Sequence, residues 1–441
     1  MFSRRGLWYV SLAVAAYMVG ISNLWKFPTL ILEYGLSGLL SYTLMTTLMI
    51  PLIATAMTST KSKRYELVRF YSREFNRVGP AITFFLFDTI LLIYYPIAGG
   101  WFLRELTPSN LPLLDVWNIV ALLLFFTLLI TALRRGGNHT MDAMIISLAI
   151  AFAGLILASW GLYSRIETMG AKPVFKDQLF QVLSWKEVNS GMLVETAKQA
   201  TYSVGIGMGF YLLLGSFLSE RISPIKVAII GVIIDATAGL ISALLMIMAI
   251  SISPSSGMEG RIVITSTLPE ILRAVNMTTV LYVLYLAFFF AALSSMIPLG
   301  EVVTRVLMEL SRKPPSPRRL PEFRKRSVLL MMSLALLLGL SAIAIEEYTG
   351  LDAINTLNTA VETFILFGAI LEVPAVLYNR DYIPRGLKIS SYPGVVSVLL
   401  TGTLAVWSMV ADQQFIPLLI LLGVFGLAIL PGKFWQRRLG T

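Results

Sequence analysis

The sequence predicts an all-α membrane protein that crosses the bilayer twelve times, with its first and sixth spans broken near their middles. Of its 441 residues, 56% are hydrophobic and only 14% are charged, which is more apolar surface than a soluble domain of this length needs. Apolar runs of membrane length recur along the chain. Two of these runs are interrupted by similar short sequences, and the interruptions organise the remaining predictions.

The first interruption is the segment Gly20–Asn23, inside the apolar run from Leu7 to Tyr34. Glycine is costly within a helix, and Ser and Asn side chains compete for backbone hydrogen bonds. A break here leaves carbonyl groups of the first half and amide groups of the second half without helical partners. Because lipid tolerates such groups only where they line a cavity or hold a ligand, the break predicts a binding site near the bilayer midplane.

The second interruption, Tyr202–Met208, repeats the Tyr-x-Val-Gly-Ile pattern of Tyr17–Ile21 within another apolar run. A chance match of two apolar segments is the simpler alternative, but both copies coincide with a break. Interrupted helices at corresponding places in two halves predict a secondary transporter built from inverted repeats. We therefore predict one transmembrane transporter domain over residues 1–441. Repeat one covers about 7–163, repeat two about 191–378, and two further helices about 394–430.

Hydropathy places the twelve spans in order along the chain. We predict them at 7–34, 36–57, 81–106, 113–133, 141–163, 191–219, 224–252, 278–310, 328–345, 353–378, 394–411 and 415–430. We predict loops at 61–77 and 165–189, and short helices capping the outer vestibule within 254–275.

Charge predicts the orientation of the chain in the membrane. Most of the 35 Lys and Arg residues fall in the N-terminus, in alternate loops and in the C-terminal tail. This bias predicts cytoplasmic termini and a location in the cell inner (plasma) membrane. The formal net charge of +10 does not indicate a nucleic-acid partner, because the positive residues are distributed by this alternation of loops.

The residue inventory argues against two other classes of membrane protein. There is no cysteine, and the single histidine, His139, falls in a short loop. The chain therefore lacks the nucleophile or metal set that an intramembrane enzyme needs, and we predict that it is not an enzyme. A channel would show a continuous polar stripe or a charged ring, whereas the polar groups here cluster around the two breaks.

Few polar residues fall inside the predicted spans. Asp235 in span 7 is an expensive intramembrane carboxylate that needs a cation or proton partner, with a hydrogen-bonded structural carboxyl as the alternative. Ser294 and Ser295 are adjacent hydroxyls in span 8, with bonding back to their own helix as the alternative. Further polar side chains in the spans are Gln199, Glu301, Glu362 and Glu372.

These residues resemble a known family. The segment Gly20–Pro28 (Gly-Ile-Ser-Asn-Leu-Trp-Lys-Phe-Pro) is similar to the Gly-Leu-Gly-Asn-x-Trp-Arg-Phe-Pro signature of the neurotransmitter:sodium symporters, the LeuT-type transporters. Other matching motifs follow in the same order and spacing: Tyr94-Tyr95 with Trp101, Gln199 to Gly209, Asp235, and Ser294-Ser295. The resemblance implies the LeuT fold, with twelve helices, a five-plus-five inverted repeat and broken helices 1 and 6.

The resemblance also implies one or two sodium sites and no organic cofactor. Site one would use Met18, Asn23, Ser203 and Asp235, completed by the substrate carboxylate. Site two would use Ala16, Val19, Ala291, Ser294 and Ser295. Oxygen ligands suit an alkali cation, and a shared carboxylate would make sodium and substrate binding mutually dependent.

The implied substrate is an amino acid or related zwitterion, held at the start of the second half of helix 1. Its carboxylate would meet the amides of Ile21 and Ser22 and the Tyr95 hydroxyl. For every lining residue, ordinary helix packing is the alternative. The lining residues would be Tyr17, Met18, Ile21, Ser22, Leu91, Tyr95, Tyr202, Ser203, Gly205, Met208, Ser295 and Leu299.

The sequence departs from the family pattern at the gates. Lys26 replaces the signature Arg, and Asn355 stands where the family has its pairing Asp. Lysine cannot reproduce a bidentate Arg–carboxylate pair, and Asp352, one turn earlier, is the candidate substitute. At the inner gate, Glu309 fits the acid, with Arg4 or Arg5 as its partner.

The expected function is sodium-coupled symport of a small amino acid or related zwitterion by alternating access, with the lipid bilayer as the surrounding partner. The alternative is a carrier of the same fold that is proton-coupled or uncoupled, with Asp235 titrating.

Overall fold

The computed structural model describes residues 6–104, 116–252, 268–311, 319–350, 353–378 and 380–428. These residues fold almost wholly into α-helices. The helices are α1 Leu7–Met18, α2 Ile21–Lys61, α3 Leu67–Phe75, α4 Gly79–Arg104, α5 Val116–Leu133, α6 Asn138–Thr168, α7 Lys172–Val182, α8 Ser190–Val204, α9 Phe210–Phe217, α10 Pro224–Ile252, α11 Leu268–Ala274, α12 Thr278–Leu310, α13 Leu320–Thr349, α14 Ala353–Glu372, α15 Pro374–Leu377, α16 Arg385–Ala411 and α17 Phe415–Ala428.

Within the described residues, seven segments are long and apolar enough to cross a membrane. They are Lys26–Lys61, Gly79–Ile97, Asn138–Thr168, Pro224–Ile252, Thr278–Leu310, Leu320–Thr349 and Arg385–Ala411. Shorter apolar helices cover Leu7–Met18, Ile119–Leu133 and Phe415–Leu427. The chain is therefore a polytopic helical membrane protein, and each of the twelve predicted spans overlaps a helix or a pair of half-helices.

Both predicted breaks are present. Helix α1 ends at Met18 and α2 begins at Ile21, while α8 ends at Val204 and α9 begins at Phe210. A bend at Gly35 (φ 60°, ψ −145°) divides α2 into the second half of span 1 and the whole of span 2. The predicted boundary between those spans falls at the same place.

Several predicted boundaries were wrong, because hydropathy marks the membrane rather than the helix. Helix α13 begins at Leu320 instead of Val328, and α16 begins at Arg385 instead of Gly394. The predicted tenth span is divided at Val373 into α14 and the short α15.

The two segments predicted as plain loops each contain a helix. Helix α3 lies within 61–77 and α7 within 165–189. Helix α3 buries Leu67, Val68, Phe70 and Tyr71 while its basic residues remain outside the core. Such short amphipathic helices have too little apolar length to be recognised as spans.

Helix α12 is the central packing element. It packs along α6 and α4 and also contacts α1, so its serine pair lies beside the first break. Gly154 of α6 allows a close helix contact, because a Cβ added there would lie 2.7 Å from the Cβ of Ala287. Small residues at such crossings are typical of membrane helix pairs.

The break between α8 and α9 depends on Gly207, whose φ is 100°. A Cβ added there would collide with the Ile365 carbonyl oxygen of α14. Gly170 also has positive φ (68°), but an added Cβ would meet nothing within 4 Å.

We predict that Gly207→Ala destabilises the protein more than Gly170→Ala does. Backbone strain alone costs roughly 1 kcal/mol, and overpacking adds about 1–3 kcal/mol at Gly207 only. Melting temperatures of the two purified variants check this. Equal shifts would show that the contact with α14 does not constrain the break.

Candidate functional site

The first break turns backbone groups away from the helix axis. The Gly20 amide donates to the Met18 carbonyl (2.8 Å) instead of continuing the α-helical pattern. The Tyr17 carbonyl accepts a hydrogen bond from Ser295 Oγ of α12 (3.0 Å). Ile21 and Ser22 are the first residues of α2, so their amides have no acceptor within that helix. The break therefore presents carbonyl oxygens and amide groups on facing sides of a two-residue gap.

The four residues predicted for sodium site one lie together. Asn23 Nδ2 donates to the Met18 carbonyl (2.8 Å) and to Asp235 Oδ1 (2.5 Å). Ser203 Oγ donates to the other oxygen of Asp235. Each of the four residues is at most 2% exposed, so this cluster is closed to solvent. Helices α1, α2, α8 and α10 all contribute, and both breaks therefore meet at one carboxylate.

Two further side chains complete this cluster. Gln199 Nε2 donates to Asn23 Oδ1 (3.0 Å), and the hydroxyls of Tyr42 and Ser203 lie 2.7 Å apart. Gln199 was noted as an intramembrane polar residue, but Tyr42 was missed. A tyrosine within an apolar span is common, so the sequence gives no sign that Tyr42 belongs to the site. Its position opposite the second break identifies it only in the structure.

Three of the five residues predicted for sodium site two are joined. Ser294 Oγ bonds the carbonyl oxygens of Ala291 (2.8 Å) and Val19 (3.3 Å). Ser295 instead donates to the Tyr17 carbonyl. Ala16 lies one turn before Val19 and is fully buried. The serine pair therefore links α12 to the end of α1 through the carbonyls of Tyr17 and Val19.

Tyrosines surround the space between the breaks. Tyr17 Oη donates to the Gly205 carbonyl (2.6 Å), and Tyr202 Oη donates to Tyr95 Oη (2.6 Å). A Cβ added to Gly205 would lie 2.6 Å from the Tyr17 ring, so the bulky side chain fits only because its partner is glycine. The rings of Tyr95 and Tyr202 stack with centroids 6.5 Å apart.

The other predicted lining residues are buried near these elements or lie outside what is described. Ile21, Leu91, Met208 and Leu299 are buried side chains. The side chains of Ser22 and Trp101 lie outside the described residues.

Lys26, predicted to lie at the outer gate, pairs with an acid that was not predicted as its partner. Lys26 forms an ion pair with Glu362 of α14, and its ammonium lies 5.7 Å from the centre of the Tyr202 ring. Among the described residues, the acid that pairs with Lys26 is therefore Glu362, and the role of Asp352 stays a prediction. Asp352 and the side chain of Asn355 lie outside the described residues. Glu362 follows Asn355 by seven residues, two helical turns, and so shares its face of α14.

Glu309, the acid predicted for the inner gate, lies at the start of α3. Glu309 Oε2 accepts a hydrogen bond from the Val68 amide (2.9 Å), at the positive N-terminal end of that helix. Arg4 and Arg5 lie outside the described residues. Glu66, the residue before α3, pairs with Arg305 (2.9 Å). Burial raises the pKa of Glu66, and the Arg305 guanidinium opposes that rise.

Two buried carboxylates outside the predicted sites adjoin the second break. Glu372 accepts hydrogen bonds from the amides of Gly207 (2.5 Å) and Tyr211 (3.0 Å), and so caps the start of α9. Asp88 of α4 is fully buried, and neither oxygen has a hydrogen-bond partner among the described residues. It interacts electrostatically with Glu372 and Tyr17. Sequence reasoning named Glu372 without a role and missed Asp88, although a carboxylate in the middle of an apolar run was a usable signal.

The comparisons with known proteins concern the fold. No protein-family model matches the sequence, and no curated protein matches it. The crystal structure of MhsT in complex with L-phenylalanine is similar, with a TM-score of 0.72 and 17% sequence identity. The match covers 91% of this chain and 98% of that chain. MhsT is a transporter of the LeuT fold, and this chain has the same fold.

We predict opposite changes in stability when the two buried carboxylates near the second break are replaced by amides. Glu372→Gln removes an anionic acceptor of two amides, which we expect to cost about 1–3 kcal/mol of stability. Asp88→Asn removes no hydrogen bond between described residues and relieves a buried like charge, so we expect stability to be unchanged or higher. Melting temperatures of both variants test this pair. A larger loss for Asp88→Asn would contradict it.

Proposed function

We propose that the protein is a sodium-coupled symporter of a small amino acid or related zwitterion, working by alternating access around the two breaks. The observation that carries this proposal is the cluster of Asn23, Ser203 and Asp235 with the Met18 carbonyl. It gathers oxygen atoms from both broken helices at one buried carboxylate.

The Asn23 amide indicates where a cation would bind. Its nitrogen bridges the Met18 carbonyl and Asp235, so N–H donors occupy the space between two oxygens. Turning the amides of Asn23 and Gln199 by 180° preserves their mutual hydrogen bond and brings the Asn23 oxygen to that point. A monovalent cation would then replace the donors, with the ligands that hard cations prefer.

A second cation would bind between α1 and α12. The carbonyls of Val19 and Ala291 already converge on Ser294 Oγ. A cation there would tie the first half of the broken helix, α1, to the central packing helix α12. Its occupancy would therefore bias the carrier toward one of its two open states.

The substrate would lie at the start of α2. The amides of Ile21 and Ser22, which have no acceptor within α2, suit a carboxylate, and the Tyr95 hydroxyl lies near Gly20. Carbonyls at the end of α8 suit an ammonium group. The amino acid bound in the MhsT structure supports this substrate class. The Tyr17 ring against Gly205 limits the volume left for the side chain.

A proton-linked carrier is the second candidate, and Asp88 is the observation that favours it. A buried carboxylate without a cation or hydrogen-bond donor is unfavourable when ionised. Among the described residues, the ionisable groups that interact with it are Glu372 and Tyr17, and neither supplies a positive charge. Under this candidate Asp88 or Asp235 would carry the proton, and transport would follow the pH gradient rather than the sodium gradient.

Ligand-induced melting shifts test the ion and the substrate together. We expect a subset of amino acids to raise the melting temperature in sodium but not in potassium, since ligands stabilise the state that binds them. Asn23→Ala should weaken the sodium response by about tenfold or more. Thr237→Ala is the control, because that exposed hydroxyl of α10 bonds only its own helix at Ile233.

A response independent of sodium and dependent on pH, abolished by Asp88→Asn or Asp235→Asn, would replace sodium coupling with the second candidate. No amino acid response in any salt would remove the substrate proposal.

The outer gate gives a separate prediction. Lys26→Ala and Glu362→Ala should each slow substrate uptake, and the double variant should be no slower than the worse single one, because both remove the same ion pair. Uptake into vesicles measures this. Additive losses would mean that the two residues act independently.

A further inference from the structure

A cavity unrelated to the breaks opens on the face predicted to be cytoplasmic. It has a volume of about 590 Å³ and lies where three elements meet: the loop between α5 and α6, the last turns of α12, and the first turns of α13. The basic residues that line it are Arg134, Arg135, His139, Arg305, Arg324 and Lys325. Among the described residues, Glu322 is the one acidic residue in this lining.

The floor of the cavity is charge-balanced. Arg324 pairs with Glu301 and also donates to the Leu133 carbonyl from Nε (2.9 Å) and Nη2 (2.8 Å). Arg305 pairs with Glu301 (2.9 Å) and with Glu66 (2.9 Å). Two guanidinium groups are therefore matched by two carboxylates, and the floor fixes the end of α5 against α12 and α13.

The rim carries unmatched positive charge. Arg134, Arg135 and Lys325 are exposed and form no ion pair with any other residue in the described ranges. Glu322 is paired with Arg326, which does not line the cavity. Three cations thus face a concave space without a local counter-charge, which favours an anionic ligand.

We propose that this cavity binds a phosphate-bearing anion, namely the headgroup of an anionic phospholipid. Guanidinium groups match phosphate oxygens in charge and geometry. The volume falls within the range of small-molecule sites, and so accommodates a phosphate with its glycerol substituents.

The position of the cavity along α13 favours a lipid over free phosphate as the source of the phosphate group. Lys325 is followed on α13 by the exposed side chains of Leu329 and Leu330. At about 1.5 Å rise per residue, these leucines lie roughly 6–8 Å farther into the bilayer. A lipid with its phosphate between Arg134 and Lys325 would place its acyl chains along that apolar surface. A basic pocket between helix ends at this level is typical of anionic-headgroup sites.

Such a lipid would link two parts of the structure. Its phosphate would contact both the loop after α5 and the start of α13, above the ion pairs that already hold these elements to α12. We therefore expect it to stabilise the whole protein without contact with the residues around the breaks.

The test uses the full-length protein in detergent and three probes: phosphatidylglycerol, phosphatidylcholine and inorganic phosphate. We expect phosphatidylglycerol to raise the melting temperature and phosphatidylcholine to have no such effect. Lys325→Gln should weaken the phosphatidylglycerol response about fivefold in apparent affinity. Arg319→Gln is the matched control, since it removes the same charge from an exposed residue at the start of α13 that does not line the cavity.

Each outcome decides the proposal. A response to inorganic phosphate that is lost in Lys325→Gln but kept in Arg319→Gln would support the anion site and assign it a soluble ligand. Equal weakening by Lys325→Gln and Arg319→Gln would show attraction to the general surface charge and would overturn the site. No stabilisation by phosphatidylglycerol or phosphate in the wild-type protein would overturn it as well. The melting temperature of each variant without lipid reports separately whether the fold is intact.

Discussion

The need to satisfy polar groups inside a membrane organises this structure. Two broken helices expose backbone groups that lipid cannot solvate. Side chains from other helices form hydrogen bonds to these groups or hold the breaks together. Asp235 and Asn23 hold the first break against the second, Ser294 and Ser295 take its carbonyls, and Glu372 caps the start of α9. Because these partners come from α10, α12 and α14, the breaks fix the relative positions of helices far apart in sequence.

The local features of this arrangement could be predicted from the sequence. Gly20 and Gly205 mark the breaks because composition alone makes those segments poor helices. Asp235 is conspicuous because a carboxylate in an apolar run must have a partner. Each of these inferences depends on a few neighbouring residues.

Pairings across the bundle could not be predicted in the same way. Lys26 pairs with Glu362, because the rotation of α14 decides which of its acids reaches Lys26. Tyr42 and Gln199 bond to the carboxylate cluster through helices whose register the sequence does not specify. Helix α3 was missed because its nine residues mix basic and apolar side chains.

The Lys26–Glu362 pair also has consequences for how the outer side closes. A lysine supplies a point charge instead of a planar fork, and the two side chains remain 33% and 22% exposed, where ion pairs contribute little. In the proposed carrier, closure of the outer side would therefore depend more on the stacked and hydrogen-bonded Tyr95 and Tyr202, with Lys26 lying over the second ring. Tyr95 also lies beside Gly20 at the first break, so a substrate held there would order the same tyrosine pair that covers it. Substrate binding would thereby favour closure through the tyrosines as well as through the ion pair.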